Sequence, residues 1–231
     1  MANIQTEPIL IKAEGKKPLQ KTMLIVCEGK NTEVDYFDKF QIPGITIVPV
    51  GTGLSTTKLV HEVEGIKERE LKRKKLKKFD EIWVVFDKDN NNDFEEAITF
   101  AKTLNYKIAY SNQAFEYWFI LHFDDHQGGA MPRTDYAEKI NEHLKPYGIV
   151  YDSKSKHVSD EMFDILMAFL QDAYDRASRL LVTKKKQSRE FEESITTVHY
   201  LIHSINGATT RAEQRKAKEK EESIAKAKLL K

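Results

Sequence analysis

The chain has 231 residues, with 37 lysines and arginines against 36 aspartates and glutamates, a formal net charge of +1. That length fits one large domain or a core with a helical appendage, and it buries enough surface to fold without disulfides. A single cysteine, Cys27, excludes an internal bridge and a cysteine-cluster metal site, and no apolar run approaches a membrane span, so a cytoplasmic protein without a membrane partner is expected. Net charge decides nothing about nucleic acid, but its distribution is uneven: basic residues crowd into Lys67–Lys78, Lys184–Arg189 and the stretch from Arg211. Each run alone reads as a solvated helix face.

In chain order, Thr22–Cys27 (TMLIVC) is a short apolar run, the pattern of a strand buried on both faces. Asn31 or Thr32 can cap a helix through Tyr36, Phe37 and Phe40. Gly44–Val50 reads as a second strand, and Gly51-Thr52-Gly53 as the turn after it. Ser55 or Thr56 caps a helix carrying Leu59, Val60, Val63 and Ile66, which runs on into the first basic stretch. Glu81–Phe86 (EIWVVF) is a third strand, followed at once by Asp87; Asn90–Asn92 is loop, Phe94–Leu104 helix and Tyr106–Tyr110 a short fourth strand. Ala114–Phe123 is apolar enough for a buried helix, although periodicity alone leaves a strand open. After about Asp124 the character changes. Gly128-Gly129 and Pro132 mark a break, and the remainder reads as helices at Thr134–Leu144, Ser159–Leu181 and Phe191–Ile205, with a marginal helix at Arg211–Lys231. The expected division is an α/β core over 20–125 and a helical region over 130–231.

Strands alternating with helices imply βαβ units and a mainly parallel sheet. In a 2-1-3-4 strand order, strands one and three are neighbours, and the crevice outside their carboxyl ends is where such sheets bind ligands. Glu28 directly follows strand one and Asp87 strand three, so the two face each other across that crevice, with Asp89 two residues on. Three carboxylates in one pocket resist full ionisation unless a counter-charge is present, and a hard divalent cation such as Mg2+ or Mn2+ supplies it. Asp93 and Glu33 are further oxygen donors. Asp87 and Asp89 alone are a weak signal, since aspartates fill turns routinely; a carboxylate and a glycine straight after a buried strand strengthen it. Lys30 is a candidate phosphate contact or a solvated first-turn lysine, and Gly51/Gly53 a lone GxG. Asn112, at the same edge, reads as a helix cap, and Glu116 as a site group or a structural acceptor. His122 reads as a core histidine; His199 is open between packing and substrate contact. The histidines are too scattered for zinc, and no P-loop is present.

The segments IVCEGKNTEVDYF (25–37), VVFDKDNNNDFEEA (84–97) and SNQAFEYWFILHF (111–123), with TTVHYLI (196–202) later on, resemble the RloB-like/AbiLii family. The family's usual proline and cysteine before the Phe-Glu pair stand here as Gln113 and Ala114, while Asn112 and Glu116 are retained. The resemblance implies a toprim-like, Rossmann-like α/β fold with an α-helical C-terminal region, in which Glu28 is the catalytic glutamate and Asp87/Asp89 the metal-binding pair. It also implies a metal-dependent nuclease in anti-phage abortive infection, beside an ABC- or AAA-type ATPase partner. On that basis Glu28, Asp87, Asp89 and Glu116 are the expected catalytic residues, and Glu28, Asp87, Asp89 and Asp93 the expected metal ligands. Lys30, Lys74, Lys75 and Lys185 are the expected contacts to a nucleic acid substrate. A homo-oligomer is compatible with the sequence. The rival readings are a non-catalytic subunit that binds an ATPase or nucleic acid and, last, a phosphatase or phospho-acceptor domain, which would carry its key aspartate after strand one.

Overall fold

A computed structural model describes residues 21–188 and 194–207. Four parallel strands, β1 (Lys21–Cys27), β2 (Ile45–Gly51), β3 (Glu81–Asp87) and β4 (Lys107–Ser111), form one sheet in the order β2-β1-β3-β4. This is the expected Rossmann-like arrangement, with the sheet flanked by helices and an α-helical C-terminal region. Pairing sets Cys27 beside Gly51 on one side and Val85 on the other, and Asp87 beside Ser111. The carboxyl ends of all four strands therefore lie along one edge.

Successive side chains of a strand point to opposite faces, and β1 divides accordingly. Leu24 and Val26 pack with Val84 and Phe86 under α2 (Thr56–Lys74) and α3 (Phe94–Thr103). Met23, Ile25 and Cys27 join the other layer, where α1 (Thr32–Asp38) and α4 (Glu116–Phe123) lie against the sheet. That second layer continues without interruption through α5 (Tyr136–Leu144), α6 (Asp160–Ala168), α7 (Leu170–Lys186) and the helical residues 198–207. Residues on both sides of position 125 thus share one core. Each fully buried Leu, Ile or Phe in it contributes about 1.5–3 kcal/mol of transfer free energy.

Almost every residue of α4 is buried, so its polar groups need internal partners. Trp118 Nε1 donates to the Tyr36 hydroxyl at 2.9 Å, fixing α4 on α1. Arg176 of α7 donates to the carbonyls of Leu121 and His122, both at 2.9 Å, satisfying the C-terminal end of α4. His122 Nδ1 pairs with the Trp118 carbonyl at 2.9 Å, and burial lowers its pKa to about 3, as expected of a neutral core imidazole.

Two helix expectations change. The single helix expected over 159–181 is two, broken at Phe169, whose ring packs edge-on against Phe123; α7 then continues to Lys186. No proline or glycine marks the break, because tertiary packing sets it. Of the helix expected over 191–205, residues 191–193 lie outside the described residues, as do Arg189 and the stretch 211–231. Residues 194–197 are not helical: Thr196 forms an antiparallel bridge with Ser111, extending the sheet beyond β4. Thr197 N–H donates to the Tyr110 carbonyl and Thr197 Oγ1 accepts the Tyr110 N–H, both at 2.8 Å. Asn112 N–H donates to the Ile195 carbonyl at 2.9 Å. The threonines of the TTVH segment thus complete the exposed edge of β4.

Thr197→Val keeps the side-chain volume but leaves the Tyr110 N–H without its acceptor. Urea denaturation is expected to show a loss of about 1–3 kcal/mol, the cost of stranding a buried donor.

Candidate functional site

The pairing of β1 with β3 runs one residue past β1, because Glu28 N–H donates to the Val85 carbonyl at 2.8 Å. That contact turns the Glu28 carboxylate onto the end of β3, where its Oε2 accepts the Asp87 N–H at 3.1 Å. The two acids expected to meet across the crevice do so. Burial raises the pKa of Glu28, and the negative charges of Asp89 and Asp93 add to the effect. The Asp87 N–H and Arg133 oppose it only in part. Asp87 is raised well above the usual carboxylate range, first by burial and then by Glu33, Glu116 and Glu28.

Glu33 enters from the first turn of α1. Its side chain folds back so that Oε1 accepts the Gly29 N–H at 3.1 Å. A Cβ on residue 29 would stand 2.0 Å from Glu33 Oε2, so a larger residue there would displace the Glu33 carboxylate. Burial, reinforced by Glu116 and Glu28, pushes Glu33 up to about 7. Glu116, the first residue of α4, accepts a hydrogen bond from the Tyr151 hydroxyl at 2.9 Å and lies 3.6 Å from Lys156 Nζ. Glu28, Glu33, Asp87 and Glu116 line a cleft of 290 Å3 together with Lys30, Arg133 and Lys156. Gly51 and Gly53 admit the β1–α1 loop to this cleft. A Cβ at Gly51 would lie 2.6 Å from the Gly29 carbonyl oxygen, and one at Gly53 (φ +72°) 2.6 Å from Lys30 Cε.

The remaining expected site residues have other partners. Asp89 sits in the left-handed region at φ 38°, which aspartate tolerates. Its carboxylate is bound by Arg133 at 2.7 Å, outside the lining of the cleft. Asp93 caps the neighbouring α2: it accepts from Thr56 Oγ1 at 2.6 Å, from the Thr57 N–H at 3.2 Å and from the Thr57 hydroxyl. Burial raises the Asp93 pKa, but these hydrogen bonds outweigh it and hold the carboxyl below its ordinary value. They also hold Thr56 at φ 43°, an uncommon conformation for a β-branched residue.

Lys30 lines the cleft as expected. Lys74 and Lys75 do not reach it. They end α2, which starts at the carboxyl edge of the sheet and carries the chain 19 residues to the opposite edge, about 28 Å at 1.5 Å per residue. There Lys75 lines a separate cavity with Lys21 and Thr22. Lys185 is exposed on α7, where its charge helps burial lower the pKa of His199 to about 4. His199 is buried against Tyr174 and Tyr200 and so takes a packing role. Asn112 is buried and does not occupy the cap of α4, which is Phe115. Sequence spacing did not bring out Arg133, Tyr151 or Lys156, which reach the crevice from beyond the Gly128-Gly129 break. Their only local sign is polarity in a loop.

Among the described residues, no three His, Cys, Asp or Glu side chains form a ready-made metal-ligating group. The chemistry of the donor set nonetheless fits a hard cation. The cleft presents carboxylate oxygens and no thiol or imidazole, and the pKa values of Glu28, Glu33 and Asp87 are raised first by burial and then by their acidic neighbours.

These features define an α/β protein with an acidic crevice at the carboxyl edge of a parallel sheet. The sequence model of the RloB-like protein family matches residues 23–205, and the chain belongs to that family. No curated protein and no solved structure gives a significant match.

Glu33 binds its proton more tightly in the fold than in the unfolded chain, with a pKa of about 7 against 4.5. Between those values the native state holds more protons, so stability falls as pH rises through that window. Glu33→Gln is expected to be roughly 1–3 kcal/mol more stable than the parent at pH 8 in metal-free buffer and indistinguishable from it at pH 4, read by urea unfolding.

Proposed function

We propose that this protein is a Mg2+- or Mn2+-dependent nuclease of the toprim type, hydrolysing phosphodiester bonds of DNA or RNA, tRNA included. The observation that carries this reading is the meeting of Glu28 and Asp87 at the ends of adjacent parallel strands, with the Glu28 carboxylate bonded to the Asp87 N–H. Glu28 and Asp87, completed by Glu33 or Glu116, are the residues that would hold the cation. Once bound, it would polarise the phosphoryl group and lower the pKa of a water molecule.

The chain's own side chains do the rest. Lys30, Arg133 and Lys156 bring positive charge to the rim of the acidic cleft and bind the phosphodiester there. Glu33 accepts the Gly29 N–H through Oε1, which leaves Oε2 to take up or release a proton at the cleft. Tyr151 fixes the orientation of the Glu116 carboxylate. From the family resemblance follow the proposals of a role as effector in anti-phage abortive infection, a cytoplasmic location and an ABC- or AAA-type ATPase partner.

One observation favours a second reading, a non-catalytic subunit that binds an ATPase or nucleic acid: Arg133 already occupies the Asp89 carboxylate, leaving the expected three-acid set incomplete. The two readings separate on purified protein assayed against DNA and RNA with Mg2+ or Mn2+. Glu28→Ala and Asp87→Asn are each expected to lower the cleavage rate by about a thousandfold, the equivalent of several kcal/mol of lost transition-state stabilisation. Activity retained in both variants would remove these residues from the mechanism. Absence of hydrolysis on every substrate, with cell toxicity unchanged in Asp87→Asn, would favour the non-catalytic subunit.

A further inference from the structure

Beside the acidic cleft lies a second cavity of 380 Å3, and Glu116, Arg133 and Lys156 line both. The two spaces therefore meet at a junction of two cations and one carboxylate, where Lys156 Nζ lies 3.6 Å from Glu116 and Arg133 also pairs with Asp89. Beyond it the chamber changes character: Thr134 and Ser153 offer hydroxyls, and Tyr136, Ala137 and Tyr151 offer hydrocarbon and ring edge. Its volume falls within the usual range for small-ligand sites, and its mixture of a charged mouth with a polar and apolar interior is theirs as well.

We propose that this chamber is a nucleotide subsite that receives the nucleoside next to the phosphate held at the junction. The inference rests on the nuclease reading and names the part of the substrate it grips. Arg133 and Lys156 bind the phosphate, Arg133 through the guanidinium donors that its bond to Asp89 leaves over. Thr134 and Ser153 face the sugar, and the base lies against Tyr136 and Ala137. A base inside a duplex cannot enter such a chamber, so the ligand is an unpaired nucleotide of a strand.

The chamber is built in advance of any ligand. Asn141 clamps the backbone of Tyr151, donating to its carbonyl at 2.9 Å and accepting its N–H at 2.7 Å. The loop that follows is tied to the β1–α1 segment, since Asn31 Nδ2 donates to the Ser155 carbonyl at 2.8 Å and Thr32 Oγ1 to the Lys156 carbonyl at 3.0 Å. The backbone of Lys156 is thereby tied to the segment that follows Glu28.

The test is calorimetric titration of the protein in EDTA with three probes: a dinucleotide, the same molecule with one base removed, and a nucleoside monophosphate. The dinucleotide is expected to bind at least tenfold more tightly than its abasic counterpart. Ala137→Leu, which fills the chamber, is expected to abolish that difference, as is Thr134→Phe at the exposed rim should the first variant not fold. Lys74→Ala is expected to change nothing. Equal affinity for the intact and abasic dinucleotides, or base-dependent binding that survives a folded chamber-filling variant, would overturn the subsite. A monophosphate that binds as tightly as the dinucleotide would overturn the assignment to a strand. Cleavage with Mg2+ is measured in parallel: base-dependent binding without cleavage removes only the nuclease reading, and cleavage without base dependence removes only the subsite.

Discussion

Four carboxylates crowd the carboxyl edge of the sheet, and each is held there by a piece of the fold. Glu28 is fixed by the extension of β1 pairing onto Val85, and Asp87 by its place at the end of β3. Glu33 is fixed by its bond to Gly29, and Glu116 by Tyr151. Like charges in a partly desolvated cleft repel, and in proteins the usual escape is for some groups to keep their protons. Burial is the first cause of the raised pKa values of Glu28, Glu33 and Asp87, and their acidic neighbours add to it. A fold that spends stability on such a cluster concentrates it where chemistry is wanted, and perturbed acids in a cleft are a probabilistic marker of a functional site.

The helical region is part of the same construction. Arg133 and Lys156 come from chain that follows the sheet, yet both line the crevice, and Tyr151 orients one of its acids. At the far end of β4, the bridge from Thr196 to Ser111 closes the sheet beside Asn112. The core reflects this: residues from Met23 to Ile205 pack in one continuous cluster on the α4 face.

The sheet was legible because buried parallel strands are short apolar runs, and the first three are bounded by glycines or acids. Alternation of elements gave the parallel sheet, and the 2-1-3-4 order assumed for it is the one observed. Glu28 and Asp87 were legible for the same reason, since neither packing nor solubility calls for a charge directly after a buried strand. The loops were less transparent. Asp89 and Asp93 look alike in the sequence, but one pairs with a guanidinium contributed from 44 residues away and the other caps a helix that begins 37 residues earlier. Neither partner leaves a local trace. The break at Phe169 and the threonine bridge to β4 were hidden likewise, because both are decided by side chains distant in sequence.

The length of α2 has a geometric consequence. With one end at the crevice and the other at Lys74, the helix is a ruler of about 28 Å. A strand held at the acids and laid along this helix would meet the lysine-rich tip only if it were long enough to span that distance. Short fragments would never touch it, and contact there would register substrate length rather than sequence.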